Sequence, residues 1–207
     1  MKPPRIVLGV DFDNTLVGYD RLFHRVACDL GVIPADFPAN KNAVRDFLNA
    51  NGKKEVFTEM QGTVYGARMA EAEACPGAMP TLMALVRAGV TVFIISHKTR
   101  TPMIGTSHDL HAAARGWLEA QGVFHPASIG LPRENVYFEI TKEAKLARIA
   151  SCGCTHFVDD LPEILSHPSF PAGVERLLYA PTADASLAVP YGRLAAWPDL
   201  PARLRIA

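Results

Sequence analysis

The chain has no excess of charge of either sign. Its 21 Lys and Arg are matched by 21 Asp and Glu, so no net basic field draws it to a polynucleotide or an anionic membrane surface, and neither partner is expected. Long apolar runs are missing too. No stretch approaches the roughly 18 residues that cross a bilayer, and MKPPRIVLGV passes straight into a strand pattern with too short an apolar run for a secretory signal. The cytoplasm is the expected compartment. Cysteine is scarce. Cys28, Cys75, Cys152 and Cys154 lack the repeated C-x-x-C spacing of a structural zinc site, and disulfides are not expected. The run CGCTH brings Cys152, Cys154 and His156 close in sequence. A strand beginning there would send alternate residues to opposite faces, so packed thiols are expected rather than a metal site.

What is present is a set of polar residues that each follow a hydrophobic run. RIVLGVDFDNTL ends an apolar strand pattern in Asp11, Asp13 and Thr15. A carboxylate at the carboxyl end of a buried strand lies where open α/β sheets bind their ligands, although loop aspartates also cap turns and helices. VTVFIIS at 90–96 is β-branched and unbroken, and delivers Ser96. THFVDD at 155–160 delivers Asp159 and Asp160. Between them TKEAKLARIA at 141–150 reads as a helix with Thr141 as N-cap and Leu146 and Ile149 on one face. Lys142 and Lys145 fall in its first turn, where cations oppose the helix dipole, and a function would account for them.

The spacing of these runs predicts the architecture. A whole βαβ unit takes about 30 residues, yet 84 residues separate Asp11 from Ser96. A crossover helix is predicted after CPGAM, ending at Gly89, which leaves residues 18–75 as an insertion. Within it YDRLFHRVACDLG, NAVRDFLNANG and VYGARMAEAEA have helical periodicity. ENVYFE at 134–139 and VERLLYAP at 174–181 read as further strands, and DLHAAARGWLEAQG at 109–122 as an amphipathic helix. Residues 182–207 read as an irregular tail with a short terminal helix. The expected fold is α/β, a doubly wound parallel (Rossmann-like) sheet built from residues 1–17 and 76–207, with a helical insertion at 18–75. At 207 residues the chain suits one such domain plus an insertion.

DFDNT, the Ser after VTVFII, a helix-leading Lys and VDD stand in the order of the four motifs of the haloacid dehalogenase superfamily, which the chain resembles over residues 5–165. The resemblance implies a Mg²⁺-dependent phosphatase, with residues 18–75 as a small helical cap over the site and a small phosphorylated metabolite as partner. It implies Asp11 as nucleophile and Mg²⁺ ligand, the backbone carbonyl of Asp13 as a further ligand, and Asp159 as the direct acidic ligand. The Asp13 side chain corresponds to the general acid and base. Relatives that cleave carbon–halogen or carbon–phosphorus bonds generally lack an acid there, so its presence favours phosphate esters. Ser96 corresponds to a donor to a phosphoryl oxygen.

The chemistry needs these residue types. A carboxylate attacking phosphorus splits one displacement into two easier steps, and a hard divalent cation takes oxygen ligands. For the motif lysine the resemblance favours Lys142 over Lys145, since Lys142 precedes Leu146 and Ile149 by four and seven residues, the usual relation of the family's lysine to its helix. Asp160 is taken as the third acid near the metal, with Glu163 as the alternative. Thr15, His97 and Lys98 form the candidate substrate-binding set; Thr15 would fix the loop, and HKTR after Ser96 would bind a second anionic group or be a solvated basic loop. His24, Arg45, Lys53, Lys54, Glu59, Gln61 and Arg68 are candidates for specificity, each against the alternative of a solvated helix face. A phosphomutase with the same residues and a non-enzymatic phosphate-binding module are the alternative functions.

Overall fold

The run that ends in Asp11 forms the middle of a parallel sheet. The computed structural model describes residues 5–182 and 189–206. In chain order the elements are β1 (Val7–Val10), β2 (Val17–Gly18), α1 (Asp20–Asp29), α2 (Lys41–Ala50), α3 (Lys54–Gly62), β3 (Glu73–Ala74), α4 (Ala78–Arg87), β4 (Thr91–His97) and α5 (Leu110–Ala120). They continue with β5 (Val136–Glu139), α6 (Lys142–Ser151), β6 (His156–Asp159), α7 (Pro162–Leu165), β7 (Glu175–Tyr179), β8 (Gly192–Leu194) and α8 (Leu200–Arg203). The six-stranded sheet runs β5-β4-β1-β6-β7-β8, and β2 pairs with β3 in a separate two-stranded sheet.

Contacts divide the chain into two units. The first comprises residues up to Leu16, Ala74–Lys98, and the chain from Gln121 onward. It holds the six-stranded sheet, all of whose pairings are parallel, and the flanking helices α4, α6 and α7. This is the expected Rossmann-like α/β architecture. The strands take the apolar, β-branched runs because a sheet covered on both faces excludes water from every side chain. One cluster of its core joins Ile95, Leu146, Ile149, Phe157, Ile164, Leu165 and Leu178 from β4, α6, β6, α7 and β7. Gly9 of β1 has a packing reason: a Cβ there would lie 2.5 Å from the Phe157 ring of neighbouring β6. The chain order reverses between β1 and β6, so their carboxyl ends border the crevice where such sheets bind ligands.

The second unit comprises Val17–Glu73 and Thr99–Ala120. The insertion is helical, as expected, but its boundaries differ. Residues 99–120, read from sequence with the core, pack with the insertion, because α5 turns Leu110, Ala114, Trp117 and Leu118 inward there and the Trp117 indole donates to the Ala72 carbonyl at 2.8 Å. Phe23, Phe57, Tyr19 and Tyr65 form its aromatic centre, with ring centroids 4.8 to 5.7 Å apart. Asn40 caps α2 through the Ala43 N–H. Residues 64–74, expected as an α-helix, form instead a π turn at Thr63–Ala67 and a 3-10 turn at Met69–Glu71. Gly66 allows this packing, since a Cβ there would meet His108 at 2.8 Å.

In the tail the short terminal helix is present as α8, and β8 extends the sheet where no strand was expected. A Cβ at Gly192 of β8 would lie 2.7 Å from Leu177 of β7, so close pairing at this edge needs the glycine. The part of the tail at 183–188 lies outside the described residues. No helix among the described residues is long and apolar enough to cross a membrane.

Candidate active site

The first unit gathers its polar residues at the carboxyl ends of β1, β4 and β6. Asp11 follows β1, its N–H donating to the Val158 carbonyl of β6 at 2.9 Å. The chain then turns sharply. Leu16 N–H donates to the Phe12 carbonyl, and Asn14 takes a left-handed φ of 56°, which asparagine tolerates better than most residues. This turn presents Asp13 two residues after Asp11. Thr15 is fully buried; its hydroxyl lies 3.5 Å from Asp160 Oδ1, and its carbonyl accepts the Trp197 indole N–H at 2.9 Å. Thr15 therefore ties the loop to both β6 and the tail.

Asp159 ends β6 with no exposed surface. Its Oδ1 accepts the Leu161 N–H at 2.9 Å, so the start of α7 orients it. Asp11, Asp159 and Asp160 each offer a carboxylate oxygen, and these atoms lie within 4.8 Å of one another. It is the metal-type cluster found among the described residues. In CGCTH, Cys154 is buried and Cys152 half-buried, and His156 is engaged with Thr155 and Glu175.

The lysine of the cluster is Lys145, not the expected Lys142. Lys145 is 1% exposed, and its ammonium donates to Asp11 Oδ1 and Asp159 Oδ2, both at 2.6 Å. Lys142, the first residue of α6, points its ammonium to Glu163 at 2.7 Å in an exposed pair. The reason is helix geometry. Thr141 caps α6 as expected, accepting the Ala144 N–H, and a start at Lys142 puts Lys145 on the buried face with Leu146 and Ile149. The same pair takes Glu163 away from the acidic cluster, whereas Asp160 belongs to it.

The charges at this site perturb one another. Burial would strip the Lys145 proton, but attraction and hydrogen bonds from Asp11 and Asp159 hold its pKa above the usual lysine value. Burial drives the Asp159 carboxyl upward; Lys145 opposes this and Asp11 adds to it. Asp160 is raised by burial and then by the charges of Asp11 and Asp159. Four carboxyl groups (Asp11, Asp13, Asp159 and Asp160) stand with two lysines (Lys98 and Lys145), an excess of oxygen donors that suits a divalent cation. Hard oxygen donors fit Mg²⁺, whose usual protein ligands are one or two carboxylates.

Ser96 lies at the end of β4, 1% exposed, opposite Phe138 of β5. The other substrate candidates are engaged by the protein itself. His97 Nε2 lies 3.0 Å from the Ile140 carbonyl, and Lys98 donates to both oxygens of Asp13. On the second unit, Arg68 is held by Asp29 and Glu71, and Arg45 by Asp46. Glu59 lines a cavity of about 270 Å³ with Gly62, Thr63, Gly105, Thr106 and His108.

The chain has the haloacid dehalogenase-type fold. A HAD-family hydrolase from Deinococcus radiodurans R1, solved with bound phosphate and sodium, matches it with a TM-score of 0.60 at 18% identity, over 97% of this chain and 95% of that one. A predicted phosphoglycolate phosphatase from Haemophilus somnus 129pt matches at 0.57 and 13% identity, over 99% and 100%. A dehalogenase solved with an intermediate complex matches at 0.60 and 14% identity, over 98% of each chain. No protein-family model and no curated protein matches the sequence.

Proposed function

We propose that the protein is a Mg²⁺-dependent phosphatase that hydrolyses a phosphate monoester of a small metabolite through an aspartyl phosphate on Asp11. The observation that carries this is the cluster of Asp11, Asp159 and Asp160 oxygens within 4.8 Å, with the carboxyl of Asp13 two residues beyond the nucleophile. The resemblance associates an acid at the Asp13 position with phosphate esters rather than carbon–halogen bonds, which favours the phosphatase.

Asp11, Asp159, Asp160 and the backbone carbonyl of Asp13 would hold the cation. When bound, it supplies neutralisation of the phosphate and carboxylate charges that otherwise repel. Lys145 holds Asp11 in place by donating to its Oδ1. An oxygen of Asp11 bonds to phosphorus as the ester P–O bond breaks, and the departing oxygen takes a proton from Asp13. Water then bonds to phosphorus and gives its proton to Asp13, and the bond to Asp11 breaks. Ser96 donates to a phosphoryl oxygen in both steps. The helical second unit is assigned to substrate selection, and the protein to the cytoplasm.

The test is phosphate release from a panel of phosphorylated metabolites, with and without Mg²⁺, by the wild type and Asp11→Asn. Mg²⁺-dependent release that disappears in the variant supports the phosphatase. Isomerised ester without free phosphate would instead identify a mutase, and no turnover of any ester would sink both.

A further inference from the structure

Lys98 follows Ser96 by two residues, and its surroundings differ from those of a substrate ligand. Its ammonium donates to both carboxylate oxygens of Asp13, at 2.9 and 3.0 Å, and lies 5.5 Å from the centroid of the Phe12 ring. Its side chain is only 3% exposed, whereas that of Asp13 is 25% exposed. The backbone is fixed as well, because the Lys98 N–H donates to the Glu139 carbonyl at the end of β5. A cation buried along its length, over an aromatic face and across both oxygens of one carboxylate, fixes the orientation of that carboxylate.

We infer that Lys98 is a positioning residue for Asp13, a role that rests on the phosphatase proposed above. It fixes the plane and rotamer of the Asp13 carboxyl, so that one oxygen meets the leaving group, and later the water, at a set place. When Asp13 passes its proton to the departing ester oxygen, Lys98 keeps its own three protons and stays bonded to the other carboxyl oxygen. The contact to both oxygens forms once that proton has gone, and when Asp13 takes the proton of the attacking water Lys98 again keeps only the oxygen that stays unprotonated. Misplacement of a proton donor by about 1 Å is enough to cost a large part of its effect. The neighbouring lysine does different work: Lys145 holds the nucleophile, and Lys98 holds the acid.

A general acid matters most when the leaving group is poor, and this separates positioning from binding. The measurement is kcat/KM across aryl phosphates from p-nitrophenyl phosphate, with a good leaving group, to phenyl phosphate, for the wild type, Lys98→Met, Asp13→Asn and the double variant. Lys98→Met is expected to lose about 100-fold on phenyl phosphate and less than about fivefold on p-nitrophenyl phosphate, steepening the dependence on leaving-group pKa as Asp13→Asn does. The double variant is expected to match Asp13→Asn to within about twofold, because Lys98 acts through Asp13. If Lys98→Met does not fold, Lys98→Gln carries the same measurement. Equal losses on every ester, with raised KM and weaker inhibition by inorganic phosphate, would mean that Lys98 binds the phosphate itself and would overturn the inference. Unchanged kinetics would also overturn it. Absence of turnover by the wild type overturns it together with the phosphatase, an outcome distinct from a wild type that turns over while the slope stays flat.

Discussion

Two groups of charges in this protein illustrate opposite uses of the same side chains. In the second unit Arg68 joins Asp29 and Glu71, and Glu71 also holds Arg25; Asp29 and Arg25 are about half exposed. Those pairs fasten α1 to the 3-10 turn at Met69–Glu71, and solvent screens them. In the first unit Asp11, Asp159 and Lys145 are almost fully buried, where removing an ion from water costs several kcal/mol. Two carboxylates share one ammonium, and Asp160 lies beside them, so the arrangement is poor as a fastening and suited to receive a cation. The difference teaches that ion pairs held at the surface serve shape, whereas a buried group this costly fits the chemistry proposed for it.

The largest test of that contrast is at Asp11, the proposed nucleophile. Asp11→Asn is expected to lower phosphate release by about 10³-fold or more while the fold persists, checked by turnover beside circular dichroism. Within one helix the contrast can be drawn again. Lys145→Met should lower kcat by about 10²–10³-fold, whereas Lys142→Met should change it by less than about twofold, since its partner Glu163 is exposed.

The acidity of the buried group gives a smaller, thermodynamic test. Asp159 and Asp160 have folded pKa values above those of the unfolded chain, so the folded state binds more protons than the unfolded state through that range. Their contribution to stability is therefore fully present below the usual carboxylate pKa and is lost as pH rises through the raised values. Without metal, Tm should fall as pH rises from about 5 to about 8. Mg²⁺ binds the ionised carboxylates, so its gain in Tm should be greater at the higher pH. A gain independent of pH would count against ligation by these two residues. The smallest effect belongs to the exposed group. Arg68→Met should lower Tm by about 1–4 °C, with turnover unchanged, by thermal melting and the same phosphate assay.

Much of the first unit was legible because apolar, β-branched runs and the carboxylates after them are local signals. VTVFIIS became β4, VDD closed β6, and Thr141 capped α6. The lysine was not legible. Residues 142, 145, 146 and 149 lie within one helical stripe, so periodicity favours neither lysine. Only the depth of the helix start against the sheet decides, with Glu163 as the hint that Lys142 had a surface partner. The period of α5 showed that one face is buried but not what covers it, so its place in the second unit stayed hidden until Trp117 met Ala72. α3 was missed because KKEVFTEMQG is mostly polar and ends in glycine, and its helix depends on packing Phe57 and Met60. β8 is three residues long and begins with glycine, too little for any pattern.

The Thr15 carbonyl, which holds the turn between Asp11 and Thr15 in place, is bonded to an indole 182 positions later in the chain. During synthesis Asp11, Asp13 and Thr15 emerge long before Trp197, which follows β8. Until then the turn that carries Asp11 and Asp13 lacks its indole brace, so the geometry of this loop is completed by a contact between distant parts of the chain.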